Sequence, residues 1–119
     1  MRKKVFFLLA VLWTVGVIVL SLVSFSSMSG TAVKVPFLDK LVHFTFYAVF
    51  VYLWGNSISS DGQTRFVIIR NLVIIAVFLG LILEVLQELC TEYRSMDFYD
   101  ALANSVGAGV GAYILRRRD

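Results

Sequence analysis

The sequence predicts an all-α fold, a polytopic membrane protein built as a four-transmembrane-helix bundle with both termini on the cytoplasmic side (N-in, C-in). Three observations predict it. Mean hydropathy is +0.83. Hydrophobic residues fill 59% of the 119 positions and charged residues only 16%, too few polar side chains to coat a soluble domain of this length. The apolar residues fall in four stretches, about 5–25, 37–54, 66–88 and 98–115, and basic residues gather at one set of their ends. With one proline and no repeat, low-complexity tract or linker, residues 1–119 read as a single transmembrane domain.

The first stretch, Val5 to Phe25, follows Arg2-Lys3-Lys4 and has the ~20 residues a helix needs to cross the hydrocarbon. A basic start and an apolar run also describe a signal peptide, and Ser26, Ser27, Ser29 and Gly30 supply small residues after it. Its apolar run exceeds the ~7–15 residues usual in such peptides, so it reads as an uncleaved anchor. The second stretch follows Pro36, whose fixed φ suits a first helical turn, and ends near Trp54 before a polar loop from Gly55 to Arg65. The third, from Phe66, carries Arg70 near its start, where a long side chain snorkels to the head groups. It runs to Leu86 and continues as a half-polar extension through Glu88. The fourth, Phe98 to Leu115, is less apolar and rich in Gly and Ala, with Gly107 and Gly111 at the small-xxx-small spacing that lets helices approach closely in lipid.

Basic residues bias short loops to the cytoplasm. Four crossings place eight basic and two acidic residues with the termini, leaving Lys34, Lys40 and Arg94 with six acids on the other side. Net charge is then plus six inside and minus three outside, an asymmetry that sets the N-in, C-in orientation. The overall charge of +3 therefore marks topology, and the chain reads as having no nucleic-acid partner. A single cysteine, Cys90, excludes an internal disulfide and reads as a packing residue.

Polar residues collect at the extracytoplasmic ends. Asp39, Lys40 and His43 open the second stretch, Glu84, Gln87 and Glu88 close the third, and Asp97, Asp100 and Asn104 open the fourth. Helical spacing stacks Asp39, His43 and Tyr47 on one face, and puts Glu84 with Gln87 and Glu88 on another. Asp97, Asp100, Asn104 and Gly107 or Ala108 continue one stripe, so the face that packs is also the face that is charged. Ionisable groups at membrane depth are costly and mark a site or an internal clasp.

Asp39-Lys40-x-x-His43 opening one helix, Glu84-x-x-Gln87 closing the next and Arg94-x-x-Asp97-x-x-Asp100-x-x-Ala103-Asn104-x-x-Gly107 opening the last resemble the VanZ-like family of small bacterial membrane proteins. The resemblance covers about Phe37 to Gly111, with the first helix matching only as an anchor. It implies a bacterial plasma-membrane protein, related to low-level resistance to the glycopeptide teicoplanin. Glu88-Leu89-Cys90-Thr91-Glu92-Tyr93 fills the segment where the family often carries a proline or glycine turn.

The candidate binding set is Asp39, Lys40, His43, Glu84, Gln87, Arg94, Asp97, Asp100 and Asn104, with His43, Glu84 and Asp100 as candidate acids or bases. Lys40 and Arg94 suit a phosphate or carboxylate, as on a membrane lipid or a lipid-linked cell-wall precursor. Six acids against three bases repel an anion unless some are protonated or a divalent cation bridges them. Asp39, His43, Glu84, Asp97 and Asp100 are the candidate ligands for such an ion, an oxygen-rich set that favours Mg²⁺ or Ca²⁺. There is no Gly-rich phosphate loop, nucleophile elbow or Cys–His pair, so binder, lipid-modifying enzyme and structural clasp all stand on the sequence, as do monomer and small homo-oligomer. A cysteine placed between Ser57 and Gln63 in a Cys90→Ser background is expected to resist an impermeant thiol reagent in intact cells. Labelling there would invert the orientation.

Overall fold

The computed structural model describes residues 2–27, 38–58, 62–90 and 98–118, and all of its regular structure is helical: α1 (Arg2–Ser27), α2 (Leu38–Ser57), α3 (Gly62–Cys90) and α4 (Phe98–Arg118). The four helices fall on the four apolar stretches. α2 and α3 both reach further into the polar loop than hydropathy indicates, because helical backbone bonding continues where side-chain polarity changes. Gly62 turns the chain into α3 with φ 64°, a left-handed conformation that glycine adopts without steric cost.

Among the described residues, two helices are long and apolar enough by themselves to cross a membrane, over Arg2–Leu20 and Gly62–Leu86. α2 and α4 do not meet that criterion, and their composition explains it: α2 opens on Asp39, Lys40 and His43, and α4 on Asp100 and Asn104 before a run of Gly and Ala. The outward surface is nonetheless apolar. Leu8, Leu12, Val15 and Leu20 on α1, Ile75, Phe78 and Ile82 on α3, and Leu102 and Val106 on α4 are all exposed.

Pairwise contacts fix the direction of each helix. Phe6 and Phe7 meet Tyr52 and Trp54 edge-on, while Trp13, further along α1, meets Phe46, further back on α2, so α1 and α2 are antiparallel. Trp13 Nε1–H donates to Phe46 O at 2.9 Å and Trp54 Nε1–H to Thr14 Oγ at 2.9 Å, giving each indole a partner as burial requires. α3 and α4 are antiparallel too: the Arg116 guanidinium lies over the Phe66 ring at 5.6 Å, and Gly80 faces Asn104. α2 and α4 run parallel, because Gly107 and Gly111 face Phe44 and Ala48 in the same order. The basic residues of α1, Arg65, Arg70 and Arg116 therefore share one end of the bundle, and Lys40, His43, Glu84 and Asp100 the other.

α2 is the central helix, touching all three others, and α1 makes no contact with α4 among the described residues. The core it organises contains Val17, Tyr47, Phe50, Val51, Leu72, Ala76, Leu83 and Ala108. Side chains donate to carbonyls in and just after its last turns, where partners within the helix run out. Asn56 Nδ2–H donates to Tyr52 O, Ser57 Oγ–H to Trp54 O, and buried Arg65 donates through Nη1 to Gly55 O at 2.7 Å and to Ile58 O at 3.0 Å. A guanidinium at this end also complements the negative pole of the helix.

The α2–α4 contact is made backbone to backbone. A Cβ built on Gly107 would overlap the Phe44 carbonyl, and one on Gly111 the Ala48 carbonyl, whereas Gly109 faces open space. Gly107→Leu is expected to lose about 3 kcal/mol or more of stability, at or beyond the upper end of core overpacking, because backbone cannot move aside as a side chain does. Gly109→Ala should lose none. Unfolding of the detergent-solubilised protein measures both, and equal tolerance at the two positions would refute the close packing.

Candidate functional site

One end of this packed stripe is ionisable. His43 comes from α2, Glu84 from α3 and Asp100 and Asn104 from α4, and their exposures are 5%, 1%, 0% and 2%. Side chains of this kind are rarely so completely buried unless paired. The helical register explains how they come together. Lys40, His43 and Tyr47 follow one face of α2 at i, i+3 and i+7, and Asp100, Asn104, Gly107 and Gly111 follow one face of α4. Pressing the glycines against α2 brings the polar positions just before them into contact.

The polar contacts are specific. His43 Nδ1 and Asn104 Oδ1 are 3.0 Å apart. A carboxamide oxygen only accepts, so the ring carries its proton on Nδ1 and donates it. This directs Nε2 toward α4, where it lies 3.8 Å from Asp100 Oδ2. The other Asp100 oxygen, Oδ1, pairs with the Lys40 ammonium at 3.2 Å, and that side chain is one-third exposed. Glu84 completes the group: one donor atom each from His43, Glu84 and Asp100 lie within 4.8 Å of one another, close enough to share a metal ion.

Gly80 has a part in this arrangement that spacing does not reveal. A Cβ there would stand 2.6 Å from Asn104 Nδ2, so α3 presents a bare backbone one turn before Glu84 and leaves Asn104 room to reach His43. Charge and hydropathy patterns find the ionisable residues but are blind to this space. Likewise Arg65, which the sequence marks only as a basic loop residue, is a buried cap on α2 at the opposite end. Among the expected site residues, the structure brings Lys40, His43, Glu84, Asp100 and Asn104 together. The side chains of Asp39 and Gln87, and all of Arg94 and Asp97, lie outside the described residues.

Fold and site thus define a small α-helical protein with an apolar exterior and an ionisable centre buried where three helices meet. A family model described as VanZ/LLP1 matches residues 5–118, and the chain belongs to that family. The match takes in α1 as well, extending past the Phe37–Gly111 portion that carries the sequence motifs. No curated protein and no solved structure matches the chain.

Asn104→Leu removes the acceptor of the His43 Nδ1 proton and leaves a buried donor without it, which costs about 1–3 kcal/mol. Ser105→Ala, one residue along, deletes only a hydroxyl that donates to Ala101 O within α4 and should change stability little. Comparing the two by chemical unfolding in mild detergent measures the buried bond. Equal effects would show that Asn104 does not hold the ring.

Proposed function

We propose that this chain is a multi-pass protein of the bacterial plasma membrane, with both termini cytoplasmic, and that its polar centre binds the head group of a membrane lipid or lipid-linked envelope intermediate at the outer face. The observation that carries this reading is the burial of His43, Glu84, Asp100 and Asn104 at one end of a bundle with an apolar exterior. Ionisable groups in such a position are costly and characteristically functional. An open apolar groove of about 740 Å³ adds support: it lies between α2 and α4 and is lined by Lys40, Leu41, Phe44, Tyr99, Leu102 and Val106. A hydrocarbon chain in that groove has its polar end beside the Lys40–Asp100 pair, where an ammonium meets a phosphate and the cluster meets the rest of the head group.

On this reading, holding a lipid-linked precursor changes its exposure to a lipophilic, teicoplanin-type antibiotic, the phenotype that the resemblance to the VanZ-like family implies. A second reading, an enzyme that hydrolyses such a lipid or transfers its head group, draws on His43. With Nδ1 donating to Asn104, the ring presents Nε2 beside Asp100, a geometry suited to moving a proton.

The conservative variants Glu84→Gln, His43→Asn and Asp100→Asn separate these readings. Head-group binding predicts that they stay folded, lose at least tenfold in bound lipid by native mass spectrometry, and lose any glycopeptide tolerance conferred in cells. Loss of folded protein in all three would make the cluster a clasp, and unchanged lipid occupancy would sink the binding reading. A modified lipid formed by purified protein in envelope extract would establish the enzyme.

A further inference from the structure

We infer that His43, Glu84 and Asp100 form a binding site for a first-row divalent cation, Zn²⁺ or Mn²⁺, at the buried junction of α2, α3 and α4. This inference does not depend on lipid binding. It rests on how the donor atoms are turned. In two of the three groups one atom is held by an orienting partner: His43 Nδ1 donates to Asn104 Oδ1 at 3.0 Å, and Asp100 Oδ1 forms an ion pair with Lys40 Nζ at 3.2 Å. The opposite atoms, Nε2 and Oδ2, face one another across 3.8 Å. Metal-binding histidines characteristically donate their other ring N–H to an oxygen, because this fixes tautomer and direction.

The separations suit a metal ion. Metal–ligand bonds of about 2.0–2.2 Å allow two donors to stand as much as ~4.2 Å apart across one ion, so 3.8 Å is within its span. The widest separation in the triad is at most 4.8 Å. Closing it requires about 0.6 Å, within reach of the soft terminal torsion of a carboxylate.

Electrostatics point the same way. Two carboxylates held together in an apolar interior repel, and a dication between them converts that repulsion into attraction. Lys40, one-third exposed at the rim, keeps its own oxygen of Asp100. The donor set of one imidazole and two carboxylates also changes the preferred ion. Four carboxylates with one imidazole favour Mg²⁺ or Ca²⁺, whereas two carboxylates with one imidazole suit cations that accept nitrogen and oxygen together. Three protein ligands leave a coordination position open for water or for an oxygen of a bound anion.

The full-length protein in detergent, stripped with chelator, is titrated with Mn²⁺ while the free-ion EPR signal is followed, with Zn²⁺, Mg²⁺ and Ca²⁺ as competitors. One saturable site per chain is expected, displaced by Zn²⁺ and resistant to millimolar Mg²⁺ and Ca²⁺. Glu84→Gln should weaken binding at least tenfold, and Asn104→Ala, which removes the orienting bond but no ligand, about 10–100-fold. A readout that needs no variant is X-ray absorption of the Zn²⁺-loaded wild type, expected to show imidazole nitrogen and carboxylate oxygen with no sulfur. Absence of saturable binding, displacement by Mg²⁺ or Ca²⁺, undiminished binding in Glu84→Gln, or a coordination sphere without imidazole would each overturn the assignment. Lipid occupancy measured on the same stripped protein keeps its failure distinct from that of the head-group reading.

Discussion

Where α4 meets α2 it offers no side chain. Gly107 and Gly111 lay their Cα atoms against the carbonyls of Phe44 and Ala48, and the polar geometry above follows from that contact. Lys40–Asp100 and His43–Asn104 are the next pairs along the same two parallel helices. The α4 members, Asp100 and Asn104, have side chains short relative to an ordinary separation between helix axes of 8–10 Å. Had the axes been spread by a leucine at either glycine, Asn104 would fall short of the imidazole. α3 makes the same accommodation at Gly80, so glycines on two helices clear the space in which Asn104 reaches His43.

Burying this cluster is expensive, and the surrounding bonds show how the cost is offset. A carboxylate moved into an apolar interior loses several kcal/mol of hydration even after relaxation. Asp100 recovers part of this from the Lys40 ammonium, which is one-third exposed at the rim. His43 is held by a neutral amide, which fixes the ring without adding charge. The opposite end of the bundle solves a different problem. There Arg65 and two polar side chains donate to carbonyls at the end of α2. One end is capped, and the other carries the buried ionisable groups.

Hydropathy and register made much of this legible in advance. Four apolar runs gave four helices, the Gly107/Gly111 spacing gave the α4 contact face, and the stripe from Asp100 through Asn104 to the glycines marked its polar continuation. Membership of the VanZ/LLP1 family was readable in the residues that open and close α2, α3 and α4. Helix limits were less legible: hydropathy reports what side chains prefer, whereas a helix ends where its backbone bonds are capped, as α2 does at Ser57. The part of Gly80 was not legible at all, since an isolated glycine in an apolar run carries no mark of the neighbour it admits.

The polar residues that open two stretches and close a third began as a linear pattern, and the sequence alone determined which residue types it contains and which helix faces they occupy. Periodicity sets those faces because side-chain direction follows from backbone geometry. Only the tertiary structure decided which atoms meet. Asn104, rather than either carboxylate, takes the Nδ1 proton of His43; Lys40 takes one oxygen of Asp100 and leaves the other facing Nε2; and Glu84 arrives from α3 to make a group of three. Such choices depend on separations of a few tenths of an ångström between helices distant in the chain. Those separations are fixed by packing, which no local pattern encodes.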